Sequence, residues 1–181
     1  MNFFVFSIVG ISLIFTSCTN KSESADREIV EKVNKLYKIY GESNEAIYAQ
    51  PIQEDLFSPN LEATLTKVIA ISKDDIEKVK KSDHPDEKPL ILEGAIFSSL
   101  YEGYSSYKIS SVTRAKNTVN VSVNFENDKA THNMKWTDTV NFINIENQWR
   151  IDNIIFDKAM GTSKNLKNSL KTFISYGEQN K

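Results

Sequence analysis

Glu93, Glu102 and Asp138 are carboxylates set inside apolar segments, and that setting can turn a carboxylate into a chemical tool. Taken out of water, the charged form is penalised, and the pKa rises toward the range where the group can serve as acid, base or ligand anchor. Glu93 and Glu102 each precede a glycine, Gly94 and Gly103, so both can equally be ordinary turn residues. Asp138 alternates in register with Trp136 and Val140, which assigns it a strand face but leaves its depth open: the mouth of a concave sheet or the wet side. Tyr101, Tyr104, Tyr107, Trp136 and Trp149 offer the aromatic surface from which ligand pockets are built. Trp149 and Ile151 are expected to pack on helices, whereas Tyr104, between Gly103 and Ser105-Ser106, is expected to be partly exposed. The candidate ligand-binding residues are therefore Glu93, Glu102, Tyr104 and Asp138.

Asp83-His84-Pro85-Asp86-Glu87 sets one imidazole among three carboxylates, the atoms a divalent metal or an acid/base pair would use. Neighbours in an extended loop point in different directions, and no second histidine lies at ligand spacing, since His132 is far along the chain. The segment reads as solvated surface, with no metal site. Neither a nucleophile elbow, a phosphate-binding glycine loop nor a paired-histidine motif is present, so no catalytic residue and no cofactor are expected.

Cys18 is the chain's single cysteine and follows the apolar run from Phe3 to Phe15 and the small residues Thr16-Ser17. That run is shorter than the roughly 20 residues a spanning helix requires, and its flanks suit cleavage of a secretory signal. Residues 1–17 are expected to be a lipoprotein signal peptide and Cys18 the lipidated residue. Residues 18–25 would then form a flexible polar tether. Each buried methylene contributes about 0.8 kcal/mol, so two or three acyl chains would hold the protein to a bilayer. Thr19, in place of the Asp linked to inner-membrane retention, points to the outer membrane. After lipidation no thiol remains for redox chemistry or disulfides, and stability must come from burial and hydrogen bonds.

The chain of 181 residues has 22 basic and 24 acidic side chains and a net charge of −2. It lacks the basic excess with which a nucleic-acid binder displaces counterions. What remains after residues 1–17 is ordinary for one domain, expected over residues 26–176 with a tail at 177–181.

The elements that must position the candidates follow from periodicity. Ile29, Val30, Val33, Leu36, Tyr37 and Tyr40 recur at helical spacing, with Gly41 as the stop. Ser58-Pro59 reads as an N-cap and first helical residue before the stripe Leu61, Leu65, Val68, Ile69. A separate short helix is expected over residues 74–79. Residues 80–89, charged and twice interrupted by proline, form a loop. Beyond it the period becomes two. Val119, Val121, Val123 and Phe125 define a strand paired with 107–112 across a turn near Lys116-Asn117, and 136–145 pairs with 149–156 across Glu146-Asn147-Gln148. Leu166, Leu170, Phe173 and Ile174 mark a final helix. The fold class is α+β: N-terminal helices packed on a curved antiparallel sheet of about four strands, with a closing C-terminal helix.

The segments Pro89-Leu90-Ile91-Leu92-Glu93-Gly94, Ile96 to Gly103, Trp136-Thr137-Asp138-Thr139-Val140 and Gln148-Trp149-Arg150-Ile151-Asp152-Asn153-Ile154 resemble an uncharacterised family of bacterial lipoproteins grouped as a domain of unknown function. The likeness spans roughly Ile29 to Phe173. It implies a cystatin-like or nuclear-transport-factor-like cone and a cell-envelope location, but no known reaction. Ala95 stands where many relatives carry an acid. The sequence thus reads as a lipid-anchored envelope protein whose domain binds an unidentified small molecule or envelope protein without catalysis. Its partners would be the membrane, through Cys18, and that ligand, but not nucleic acid. The alternatives are an enzyme of hydrolase or isomerase type using carboxylates in the cone, and a protective, immunity-like envelope protein.

Overall fold

The computed structural model describes residues 19–41, 45–129, 132–160 and 163–179; Cys18 and the signal segment lie outside them. Helix α1 runs from Thr19 to Tyr40. Its stripe Ile29, Val33, Leu36, Tyr37 and Tyr40 is buried, and the Gly41 amide closes the last turn by donating to the Tyr37 carbonyl at 2.9 Å. The helix begins earlier than the periodicity suggested, so the expected tether is helical from Thr19 onward. Nothing between Thr19 and Ala25 breaks a helix, and extending one already fixed by packing at Ile29 needs only one residue ordered per new bond. Among the described residues, no helix is long and apolar enough to cross a membrane.

After a 3₁₀ turn at Ile47–Ala49, helix α2 covers Pro59–Lys80. Ser58 caps it as expected: its hydroxyl accepts from the Leu61 amide at 3.2 Å and donates to Asp152 Oδ1 at 2.7 Å, which Lys167 Nζ also meets at 2.7 Å. Ser58→Ala is expected to cost about 1–2 kcal/mol, because a buried cap is lost. Urea denaturation should show a lower midpoint with an unchanged slope. The short helix expected at 74–79 is not separate but is the last part of α2. No glycine or proline divides the two stripes, and Ile71 and Ser72 at the join are buried.

Four strands form one antiparallel sheet in the order β1-β2-β3-β4: β1 Ser106–Arg114, β2 Thr118–Asn127, β3 Met134–Ile145 and β4 Gln148–Ile155. β2 and β3 alternate as read from sequence, burying Val119, Val121, Val123 and Phe125 on one and Trp136, Asp138, Val140 and Phe142 on the other. The outer strands carry one register shift each, at Ile109/Ser111 and at Asn141/Phe142 opposite Asn153/Ile151. A bulge resets which residues face inward, so Ile151 and Ile154, three apart, are both in the core. Trp149 is half-buried against that core, with the Arg114 guanidinium 5.7 Å above its ring. The β3–β4 turn is made by Glu146 and Asn147, both at positive φ, the backbone a two-residue hairpin needs.

The free edge of β4 is covered by residues 56–58: the Ser58 amide donates to the Ile151 carbonyl at 2.8 Å and the Ile151 amide to that of Leu56 at 2.9 Å. Helix α3, Leu166–Gln179, buries Leu166 and Leu170. It includes the start of the expected tail, since Gly177 is buried where α3 meets α2; a Cβ there would lie 2.6 Å from Ile71 Cγ2. Helices and the apolar sheet face share one core, with Val33, Leu65, Val123, Phe142 and Ile154 fully buried. The inner face of the sheet is therefore filled, and any binding surface lies at its margin.

Candidate functional site

The segment between α2 and β1 is an ordered loop tied down at several points. The Leu90 amide donates to Asp75 Oδ2 at 2.6 Å. Phe97 is buried, stacked on Phe57 with ring centroids 5.7 Å apart and beside Tyr40 at 4.9 Å. The Trp136 indole N–H donates to Ser98 Oγ at 3.1 Å. Between these anchors and β1 lie the two Glu-Gly pairs. Gly94 and Gly103 have φ of 77° and 85°, conformations that cost an L-residue but not glycine. Their turns let the Ala95 amide reach the Tyr101 carbonyl at 3.0 Å and close the loop on itself. Gly94 is required twice over, because a Cβ there would lie 2.5 Å from the Tyr101 ring.

The closed loop forms one wall of an open groove of about 1110 Å³. Glu93, Tyr101, Glu102 and Tyr104 come from the loop, Tyr107 from β1, Asn127 and Lys129 from the end of β2, and Gly41 and Tyr48 from the α1–α2 connection. Of the residues singled out from sequence, Glu93, Glu102 and Tyr104 come together here. Glu93 is paired with Lys88 at 2.7 Å, a contact that raises the Lys88 pKa, and the Tyr101 hydroxyl stands 3.5 Å from the same carboxylate. The Tyr104 hydroxyl reaches the Tyr37 carbonyl at 3.3 Å, and Tyr107 donates to Asn34 Oδ1 at 3.1 Å. Behind them Tyr37 and Phe125 back the floor, with Tyr37 edge-on to both Tyr104 and Phe125. Tyr101 is 59 % exposed, and its ring is the most open aromatic surface of the groove.

Asp138 is not part of this groove. It is neither at the mouth of a cavity nor on the wet face of its strand: its side chain is fully buried and ties the loop to the sheet. Oδ2 accepts from the Ser99 amide at 2.9 Å, and Oδ1 accepts from the Ser99 hydroxyl and, at 3.0 Å, from the Asp157 amide. Burial pushes its pKa up, and the Ser99 and Asp157 hydrogen bonds offset part of that by favouring the ionised form. Alternation placed Asp138 in register with Trp136 and Val140, and all three are buried; what sequence could not supply was that depth, or Ser99, 39 positions away.

The Tyr37 hydroxyl is buried with no hydrogen-bond partner, and burial followed by the nearby Asp138 charge raises its pKa well above the usual phenol value. Tyr37→Phe removes a desolvated polar atom and no bond, so stability is expected to hold or rise by about 1 kcal/mol, read from the thermal midpoint.

The segment from Asp83 to Glu87 is exposed throughout, as is His132. Among the described residues no three His, Cys, Asp or Glu side chains are grouped closely enough to hold a metal ion. Sequence reasoning missed Tyr48, Asn127 and Lys129 as groove residues. Each comes from an element remote in sequence from the loop, and no local pattern links them.

No protein-family model matches the chain, and no curated protein does. Among solved structures it is similar to a protein of unknown function from Bacteroides thetaiotaomicron VPI-5482, at 19 % identity over 75 % of this chain and 95 % of that one, with a TM-score of 0.31. A likeness at that level defines neither a family nor an activity.

Proposed function

We propose that this chain is a lipid-anchored protein of the bacterial cell envelope, held in the outer membrane by acyl chains on Cys18, and that its domain is a non-catalytic binding module whose ligand lies in the tyrosine-lined groove. Membership of the uncharacterised lipoprotein family belongs to the same proposal. The observation that carries the binding module is the convergence of Glu93, Glu102, Tyr101 and Tyr104 on one open groove, built on a loop fixed from behind by Phe97, Ser98 and Ser99, while the anchor rests on the apolar run before Cys18. A preformed wall loses little conformational freedom when a ligand arrives, which is what a binding surface needs. Catalysis is less well supported, because the carboxyl whose pKa burial raises, Asp138, is spent on backbone amides behind the groove. A protective role through an apolar docking patch is also less well supported. The large apolar side chains exposed among the described residues, Tyr101, Ile155 and Tyr176, stand on three separate elements.

Two measurements test the proposal. Metabolic labelling with a palmitate analogue should mark the wild-type protein and not Cys18→Ser; equal labelling of both rejects the anchor. Titration with a mixed small-molecule and peptide library, followed by NMR, should shift Tyr101 and Tyr104 resonances before those of β4. Shifts confined to other surfaces reject the groove.

A further inference from the structure

Resting on that reading of the groove, we infer that its ligand is a neutral polyhydroxylated chain, an oligosaccharide segment, rather than an ion, an apolar molecule or a peptide strand. Charge is the first argument. Glu93 is already neutralised by Lys88, and the remaining lining charges are one carboxylate, Glu102, and one ammonium, Lys129. With Glu93 paired, one carboxylate and one ammonium remain, and the lining carries no net charge with which to attract an ion. Neither sign of charge is complemented.

Polarity is the second. A purely apolar ligand would desolvate Glu102 and the Glu93–Lys88 pair without giving anything back, and covering charged groups in that way is costly. A peptide strand adds to a protein by exchanging main-chain hydrogen bonds. On the loop wall the amides of Ala95, Gly103 and Ser105 are already engaged, by the carbonyls of Tyr101, Leu100 and Glu126, and the ladder of the β1 margin is interrupted at Ile109/Ser111. What the groove offers is aromatic surface and side-chain acceptors. A sugar ring presents that complement, with C–H faces that pack on a tyrosine and a rim of hydroxyls that donate to a carboxylate or share protons with a phenol.

Size and shape agree. At about 1110 Å³ and open to solvent, the groove is slightly larger than the roughly 300–1,000 Å³ of pockets that hold one drug-sized molecule, and has room for more than one sugar ring. Tyr101, seated against Gly94 and more than half exposed, is the stacking platform, and Glu102, the next residue, is the hydroxyl acceptor.

The test is affinity electrophoresis of the full chain through gels containing soluble neutral polysaccharides (mannan, xyloglucan, mixed-linkage β-glucan, arabinogalactan, dextran), beside gels with polygalacturonate and chitosan. Calorimetry with oligosaccharides of the retarding polymer follows. The expected result is retardation by at least one neutral polymer, weakened about tenfold by Tyr101→Ala and roughly three- to tenfold by Glu102→Gln, with unchanged thermal midpoints. Retardation by none of the neutral polymers, or retardation that Tyr101→Ala leaves intact, overturns the inference. The library titration separates the two levels. If Tyr101 and Tyr104 respond to charged compounds or peptides but to no neutral glycan, the ligand class is wrong and the groove stands; if they respond to nothing, both fall.

Discussion

Asp138→Ala is expected to lower stability by about 2–4 kcal/mol, a fall of about 5–15 °C in the thermal midpoint for a chain of this size. The side chain accepts from the Ser99 amide, the Ser99 hydroxyl and the Asp157 amide, and removal leaves the Ser99 amide facing a void. The Asp157 amide keeps Ser99 Oγ at 2.8 Å, which sets the upper limit on the loss. Asp138→Asn should fall between wild type and alanine: its one carbonyl can meet either Asp157 or Ser99, and its amide group then opposes the other N–H donor. Because Ser99 belongs to the loop that walls the groove, both variants should also loosen that wall, seen as faster amide exchange from Ala95 to Tyr101.

The same residue predicts a pH dependence with a definite sign. Burial raises the Asp138 pKa in the folded protein above its ordinary value of 3.8, so within that interval the native state holds a proton that the unfolded chain has released. Its contribution is fully present below about pH 4 and is lost as pH rises through the raised native value. Exposed Glu77 and half-exposed Glu126, whose pKa values are lowered by the hydrogen bonds of Lys80 and of Asn133 and Lys135, act in the opposite direction. The difference between wild type and Asp138→Asn isolates the buried group. It should change as pH rises above about 4; a pH-independent difference would show that burial leaves the carboxyl unshifted.

Gly41→Ala is the second large effect. A Cβ at this position would lie 1.6 Å from the Tyr104 hydroxyl oxygen, 2.6 Å from Tyr104 Cζ and 2.7 Å from the Tyr37 carbonyl. The first two contacts can be relieved only by swinging Tyr104 away, which breaks its bond to Tyr37 and its edge-on contact with the Tyr37 ring. The third is to backbone and must strain the end of α1. A cost of about 1–3 kcal/mol is expected, with displacement of a groove side chain. Tyr104→Phe deletes the atom nearest the clash, so the Gly41→Ala penalty should shrink in that background. A double-mutant cycle reading zero coupling would refute the account.

How far the fold could be read from sequence depended on whether its signals were local. The central strands bury side chains on one face and wet the other, so Val119-Val121-Val123-Phe125 and Trp136-Asp138-Val140-Phe142 were legible at period two. The outer strands were legible only as strands. Their bulges leave Ile151 and Ile154 sharing a face at a spacing of three, a pattern no alternation rule anticipates. The Ser58-Pro59 helix start was correct because capping is a matter of adjacent residues, whereas the join of two stripes into one α2 was settled by burial of Ile71 and Ser72. At the groove, Glu93 and Glu102 stood out by being acids before glycines in apolar surroundings, and the turns they occupy did bring them together. Asp138 carried the same signal for a different reason. A carboxylate inside an apolar strand marks a buried hydrogen-bond junction as readily as a ligand anchor, and the distinction lies in donors 39 and 19 positions away.

β1 is an outer strand with no partner beyond it among the described residues, while the opposite margin of the sheet is closed by residues 56–58. A second chain laid along β1 would find its ladder interrupted at the Ile109/Ser111 irregularity and flanked by the exposed cation Lys108 and by Arg114, which is paired with Asp26 of α1. These features discourage runaway strand addition between neighbours. A population of these molecules crowded together could therefore stay monodisperse, each with its tyrosine surface unobstructed.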